Sequence, residues 1–109
     1  TNQNEKQRIL IVDDNDELRN FLKDSLANQY LILEAVDGIK GVEVARQNLP
    51  DLIISDVMMP GMSGTEFCSI IKEDIETSHI PFLMLTAKTV WRLKLRVLHL
   101  ALTFILPSQ

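Results

Sequence analysis

Cysteine, glycine, proline and aromatic residues are scarce in this 109-residue sequence, which has 1 Cys, 4 Gly, 4 Pro and 6% aromatic residues. The single cysteine, Cys68, cannot form a disulfide within the chain and suits a reducing compartment, so we expect a cytoplasmic location. The apolar runs are too short for a membrane span, and no secretory signal opens the sequence. The first residue is Thr1 rather than Met, which indicates a piece of a longer protein.

Acidic residues are missing from the last fifth of the sequence. Residues 1–87 carry 7 Lys/Arg and 15 Asp/Glu, whereas residues 88–109 carry 4 Lys/Arg and no acid. The formal net charge of −4 argues against direct nucleic-acid binding by this piece. With 46% hydrophobic and 24% charged residues, the composition predicts one folded domain.

Short apolar segments alternate with amphipathic ones over most of the chain. Segments 8–13, 30–36, 52–56 and 82–86 are apolar, as buried parallel strands are. The apolar spacing between them predicts helices that end near residues 28, 48 and 74, the first of them capped by Asn15 or Asp16. This alternation predicts an α/β fold, a doubly wound parallel sheet with helices on both faces.

Acidic and hydroxyl side chains stand where three of the predicted strands end, namely Asp13, Asp14, Asp56 and Thr86. Ligand sites of open parallel sheets lie outside the carboxyl ends of the strands, so we expect these side chains to converge. Converging carboxylates repel unless a cation is present, and oxygen ligands alone suit Mg²⁺ or Mn²⁺. A carboxylate beside Mg²⁺ can accept a phosphoryl group, to which a hydroxyl can donate a hydrogen bond. Each acid taken alone is better explained as a turn former or helix cap, whereas Asp13, Asp14 and Asp56 together, at the ends of apolar strands, favour a site.

Three motifs, in order and with matching gaps, resemble the receiver domain of two-component response regulators. Residues 9–14 (Ile-Leu-Ile-Val-Asp-Asp) resemble its first strand and acidic pair. Residues 55–64 (Ser-Asp-Val-Met-Met-Pro-Gly-Met-Ser-Gly) resemble its phosphorylation loop, and residues 81–87 (Pro-Phe-Leu-Met-Leu-Thr-Ala) its fourth strand and switch threonine. The clear match covers 8–88 of a receiver domain at 8–109, after a polar linker at 1–7. The resemblance implies a flavodoxin-like sheet with strand order 2-1-3-4-5.

The resemblance also implies a role for each matching residue. Asp56 would be the phosphoacceptor, and Thr86 would bind the phosphoryl group. Mg²⁺ would be held by Asp13, Asp14 and Asp56 together with the backbone carbonyl of Met58. The phosphodonor would be a phosphohistidine of a histidine kinase. The output would be a shifted surface rather than turnover of a substrate, so we expect a signalling domain and not an enzyme.

The parent protein implied by the resemblance is a response regulator or a hybrid sensor kinase that carries a receiver. Any DNA-binding domain and any kinase activity would then belong to other parts of the parent protein. For this piece we expect no membrane contact and no direct nucleic-acid contact.

Residues 89–109 depart from the receiver pattern. The family continues with a fourth helix, a fifth strand ending in Lys-Pro and a fifth helix, whereas Pro107 and Ser108 stand where the lysine is expected. Apolar and basic residues alternate over 91–97, which predicts a strand. A possible coding DNA for residues 100–109, read two bases later, gives Gly-Ala-Asp-Phe-Tyr-Ile-Ala-Lys-Pro. We therefore interpret the tail from about Val90 as a shifted-frame translation, the alternative being a natural divergent tail.

The missing lysine and fifth helix have physical consequences for the chain as it stands. We expect impaired activation and an uncovered part of one sheet face. Exposing many apolar side chains is costly, so we expect the tail to pair with another chain, by dimerisation or segment exchange. The tail residues that need cover are Trp91, Leu93, Leu95, Leu100, Leu102, Phe104, Ile105 and Leu106.

Two other functions stay open at this point. One is an interaction module that works without phosphorylation, having kept the fold after losing the lysine. The other is a haloacid-dehalogenase-like phosphatase, whose signature has two aspartates one residue apart. Asp14 and Asp16 have that spacing, but they lead into Glu17 and Leu18, and the chain is too short for a cap domain.

Overall fold

The computed structural model describes residues 6–85 and 91–106, with the side chains at 91–94 and 97 left out. Strands and helices alternate along these residues, as predicted for an α/β fold. None of the described helices has the length and apolarity of a membrane span. The elements are β1 (Arg8–Val12), α1 (Asp16–Leu26), β2 (Leu31–Ala35), α2 (Gly38–Asn48), β3 (Leu52–Asp56), α3 (Gly64–Glu73), β4 (Phe82–Leu85) and α4 (Trp91–Ile105).

The four strands form one parallel sheet in the order β2-β1-β3-β4. Ile9 of β1 pairs with Ile32 of β2 on one side and with Leu52 of β3 on the other. Ile53 of β3 then pairs with Phe82 of β4. This order confirms the predicted doubly wound sheet. The fifth strand is absent from the described residues, so the sheet they form ends at β4.

Alternate residues of β1 pack on opposite faces of the sheet, because successive side chains of a strand point to opposite sides. Ile9 and Ile11 pack in the cluster formed with α1 and α4, whereas Leu10 and Val12 pack in the cluster formed with α2 and α3. All four side chains are at most 1% exposed. A parallel sheet covered on both faces requires this continuous burial, and its polar groups are left to the strand ends.

Side-chain caps begin the first three helices shortly after the strands end. Asn15, one of the two predicted caps, accepts a hydrogen bond from the Leu18 N–H at 3.0 Å. Asp37 caps α2, and Ser63 caps α3 in a reciprocal capping box with Glu66. Caps satisfy N–H groups that have no partner inside the helix. They allow short connections that keep the loops at the carboxyl edge compact.

The strand predicted for residues 91–97 is wrong, because these residues begin α4. The alternation over 91–97 is short, whereas Leu95, Leu98 and Leu102 are spaced by three and four residues, which suits a helix. Leu98 and Leu102 are 3% and 1% exposed and pack in the cluster that contains Ile9. Burial of one helical side against the sheet therefore outweighs the local period-2 pattern.

The expectation that the tail leaves a sheet face uncovered is wrong for the face that α1 occupies. α4 packs on that same face. Leu102 and Leu106 are buried there, and Leu95 and Ile105 are partly buried against the cluster. These four side chains find cover within the chain, so they require no second copy.

Two apolar residues of α4 do remain uncovered. Leu100 and Phe104 are 66% and 86% exposed, and their spacing of four residues places them on one side of the helix. The side chains of Trp91 and Leu93 lie outside the described set. Dimerisation through the tail therefore stays a prediction, and among the described side chains of α4 it rests on Leu100 and Phe104.

Candidate functional site

The carboxyl ends of β1 and β3 bring three carboxylates together. Asp13 and Asp14 directly follow β1, and Asp56 is the last residue of β3. One oxygen from each carboxylate lies within 4.8 Å of those of the other two. Asp13 and Asp56 are each 3% exposed, whereas Asp14 is exposed. They meet because β1 and β3 are neighbours in the sheet.

Asp13 is held both by its backbone and by its carboxylate. Its N–H donates to the carbonyl oxygen of Ala35 at the end of β2, at 3.1 Å. Its Oδ1 accepts a hydrogen bond from the Asn15 N–H at 2.8 Å, and its carbonyl oxygen accepts one from Nη1 of Arg19 at 2.5 Å. These contacts fix the direction in which the acidic pair leaves the sheet.

The loop between β3 and α3 folds back tightly on Asp56. Gly64, the first residue of α3, donates its N–H to the Val57 carbonyl at 2.8 Å. A Cβ atom at position 64 would overlap the Asp56 carbonyl oxygen and lie 2.9 Å from the Val57 Cα. Ser55 is fully buried and donates its hydroxyl to the Asp56 carbonyl at 2.9 Å. This close backbone approach sets the position of Asp56 and requires glycine at 64.

Met58 and Thr86 are the predicted site residues outside the carboxylate cluster. Met58 follows Asp56 by two residues, and its side chain is 73% exposed. That exposure agrees with a role limited to its backbone carbonyl, which stays a prediction. Thr86 lies outside the described residues; β4 ends one residue earlier, at Leu85, which pairs with Asp56.

The three carboxylates fit a hard divalent cation such as Mg²⁺, which prefers oxygen ligands. Over residues 6–85 and 91–106, they are the one group of acidic, His or Cys side chains close enough to share an ion. Three like charges at this distance repel, and a bound cation would offset that repulsion.

The sequence patterns did not single out Arg19 or Gly64. Arg19 is only 8% exposed and places its Nε 3.3 Å from Oε1 of Glu34 on β2. The available signal is an arginine beside Leu18 on the apolar side of α1, together with an acid in an otherwise apolar strand. For Gly64 the signal is its position at the start of α3, close after the strand that ends on Asp56.

A doubly wound parallel sheet with three carboxylates at its carboxyl edge places the molecule among the open α/β domains whose ligand sites lie at that edge. The family model described as "Response regulator receiver domain" matches residues 9–106. The chain therefore belongs to the response regulator receiver domain family.

Curated relatives include sensor kinases much longer than this chain. It is 58% identical over 85 residues to "Histidine kinase P4" of Formosa agariphila, which covers 78% of this chain and 6% of that protein. It is 40% identical over 93 residues to "Hybrid signal transduction histidine kinase D" of Dictyostelium discoideum, which covers 85% of this chain and 6% of that protein. The chain thus spans a small fraction of either relative.

Solved structures share the fold. The chemotaxis response regulator CheY4 of Vibrio cholerae superimposes with a TM-score of 0.73 at 33% identity, covering 83% of this chain and 76% of that one. The signal receiver domain of a signal transduction histidine kinase from Syntrophus aciditrophicus gives a TM-score of 0.70 at 34% identity, covering 84% and 70%. Both agree with the flavodoxin-like topology predicted from the motifs.

Proposed function

We propose that this receiver domain accepts a phosphoryl group on Asp56 from a phosphohistidine of a histidine kinase, with Mg²⁺ at the carboxyl edge of the sheet. The observation that carries the proposal is the set of three carboxylate oxygens within 4.8 Å of one another. Membership of the receiver family supports the general role in two-component signalling.

The three acids have different parts in this proposal. Asp13 and Asp14 would hold the cation together with one oxygen of Asp56 and the backbone carbonyl of Met58. The contact between the Asn15 N–H and Asp13 Oδ1 supports this assignment, because a metal ligand must be held in a fixed direction. When bound, Mg²⁺ neutralises charge on the phosphoryl oxygens.

The chemical step transfers the phosphoryl group between two side chains. An oxygen of the Asp56 carboxylate forms the new O–P bond while the N–P bond of the phosphohistidine breaks, and the imidazole nitrogen keeps the electron pair of that bond. The hydroxyl of Thr86 donates a hydrogen bond to a phosphoryl oxygen. The new group adds about −1.5 to −2 charges at the sheet edge, enough to bias a two-state loop. No substrate is turned over, so the domain acts as a signalling module rather than an enzyme.

The context of the domain is part of the same proposal. The two relatives described above are long histidine kinases, which supports a hybrid kinase as the parent. Response regulators are also among the relatives, which keeps a response regulator as the alternative. The phosphodonor kinase is its first partner, and a second copy that binds through α4 is a further one. We propose a cytoplasmic location and no direct nucleic-acid contact by this domain.

The intact mass of the purified chain, with and without Mg²⁺ and acetyl phosphate, tests the proposal. We expect a gain of one phosphoryl group that requires Mg²⁺ and is lost in Asp56→Asn. The control is Asp24→Asn, which changes an exposed acid of α1 outside the cluster and should leave the gain intact. A folded wild-type chain with no gain would refute the proposal. The mass of the unmodified chain also distinguishes the tail of the given sequence from a tail translated in the shifted frame.

A phosphorylation-independent interaction module is the second candidate, and one observation favours it. α4 occupies the part of the chain in which the receiver pattern has a fourth helix followed by the fifth strand, which ends in the missing lysine. A folded chain that gains no phosphoryl group in Mg²⁺ would support this candidate. The phosphatase alternative has no such support, since Asp16 lies outside the cluster and pairs with Arg19. Release of phosphate from an ester substrate would be needed to revive it.

A further inference from the structure

Arg19 lies beside the acidic cluster and contacts three separate parts of the fold. Its side chain is only 10% exposed. Nη1 donates to the carbonyl oxygen of Asp13, and Nη2 to Oδ1 of Asp16 in the first turn of α1, both at 2.5 Å. Nε donates to Oε1 of Glu34 on β2 at 3.3 Å. One planar guanidinium thus joins the end of β1, the start of α1 and the neighbouring strand.

Charge compensation alone does not explain this arrangement. A buried cation needs partners, and the carboxylates of Asp16 and Glu34 already supply two negative charges. Glu34 is also paired with Lys23 through its second oxygen, at 3.2 Å. The third contact of Arg19 is to a neutral carbonyl, that of Asp13. Its effect is to orient that carbonyl.

The Asp13 carbonyl belongs to the peptide plane that joins Asp13 to Asp14. Because the peptide unit is planar, a hydrogen bond to that oxygen fixes the direction in which both acidic residues continue the chain. The fork of guanidinium donors can hold this carbonyl while it also contacts Asp16 and Glu34. A lysine has a single nitrogen and cannot span all three.

We infer that Arg19 is a positioning residue for the magnesium site, which sets Mg²⁺ affinity by orienting the peptide between Asp13 and Asp14. The inference rests on the proposed function, because it concerns the same site. Arg19 acts through the acids and does not touch the phosphoryl group. Its loss should therefore weaken Mg²⁺ binding while the phosphorylation rate at saturating Mg²⁺ stays close to that of the wild type.

Calorimetric titration with Mg²⁺ of the wild-type chain, Arg19→Gln and Arg19→Lys tests the inference. Loss of groups that orient metal ligands weakens metal binding about 10–100-fold, so we expect Arg19→Gln to raise the Mg²⁺ dissociation constant by about ten-fold or more. Arg19→Lys should restore part of that loss, since one amine can still reach one carbonyl. The Asn15 amide resonance, measured without Mg²⁺, should shift in Arg19→Gln, because that N–H bonds to Asp13.

The matched control is Leu26→Ala, at the far end of the same helix, where Leu26 is 1% exposed. It should lower stability and leave Mg²⁺ affinity unchanged, which separates a structural role from a positioning one. Wild-type chain that binds no Mg²⁺ would overturn the proposed function and this inference with it. Wild-type chain that binds Mg²⁺ no more tightly than Arg19→Gln would overturn this inference only. If Arg19→Gln does not fold, the test relies on Arg19→Lys. The inference would be overturned if Arg19→Lys bound Mg²⁺ with wild-type affinity and its Asn15 amide resonance did not shift.

Discussion

Replacing Gly64 with alanine should press a methyl group into the backbone that carries Asp56. The added Cβ would overlap the Asp56 carbonyl oxygen and lie 2.9 Å from the Val57 Cα and 3.0 Å from the Asp56 carbonyl carbon. All three neighbours are backbone atoms, so a side-chain rotation cannot relieve the contact. Overpacking of this kind costs about 1–3 kcal/mol, and we expect Gly64→Ala to lower the free energy of unfolding by about 2 kcal/mol.

The same displacement should reach Asp56, the proposed phosphoacceptor. Carbon atoms in favourable contact are about 3.5–4.0 Å apart, so the loop must move by at least about half an ångström. Because a misplacement of about 1 Å can cost about 100-fold in rate, we expect acetyl phosphate to modify Asp56 roughly ten-fold more slowly. Denaturant unfolding gives the stability, and the time course of intact mass at saturating Mg²⁺ gives the rate.

Gly61 in the same loop supplies the control for this prediction. It has a φ of +76°, and a Cβ there would meet no atom within 4 Å. Gly61→Ala should therefore cost about 1–2 kcal/mol through its left-handed backbone, while the rate of modification stays near that of the wild type. A Gly64→Ala chain with wild-type stability and a wild-type rate would refute the steric reasoning.

Three further predictions concern stability and association. Denaturant unfolding should show that Leu102→Ala lowers the free energy of unfolding by about 2–5 kcal/mol, whereas Leu100→Ala, on the exposed side of α4, changes it little. Small effects of equal size in both variants would contradict the packing of α4. Replacing Leu100 and Phe104 together by serine should reduce self-association in sedimentation velocity, and a monomeric wild-type chain at high concentration would argue against the tail interface. The pKa of Asp74 is lowered from 3.8, chiefly by the hydrogen bond from the Glu76 N–H. The stabilising effect of ionised Asp74 is therefore present above pH 3.8 and is lost as the pH falls through the lower folded-state pKa. Asp74→Asn should reduce the fall in unfolding free energy over this acid range. An unchanged pH dependence would contradict the assignment.

Local patterns account for the part of the fold that could be predicted. The apolar runs at β1 and β3 specify buried strands, and Asn15 specifies the start of α1 through its own side chain. Convergence of Asp13 and Asp56 follows once the strands are parallel neighbours, because their carboxyl ends then share one edge. Each of these features depends on residues close in sequence or on a general rule of sheet topology.

The remaining features depend on contacts between distant residues. Seven residues of alternating character at 91–97 favour a strand locally, but burial of Leu98 and Leu102 beside Ile9 decides for a helix. The role of Arg19 depends on its contacts with Glu34, fifteen residues away along the chain, and with the Asp13 carbonyl. A pattern of residue types does not show which backbone carbonyl a side chain contacts or which face of the sheet a helix covers.

The chemistry of this domain and its unusual tail are structurally separable. The acids, Arg19 and Gly64 all lie within residues 13–64, and their contacts come from β1, β2, β3, the loops after them and the first turn of α1. The tail reaches the sheet through apolar contacts of Leu98 and Leu102 on the α1 face. Changes in the tail should therefore act first on stability, whereas the proposed Mg²⁺ binding would depend on the sheet edge. The proposed response to phosphorylation passes through Thr86, which lies between these two parts in the sequence.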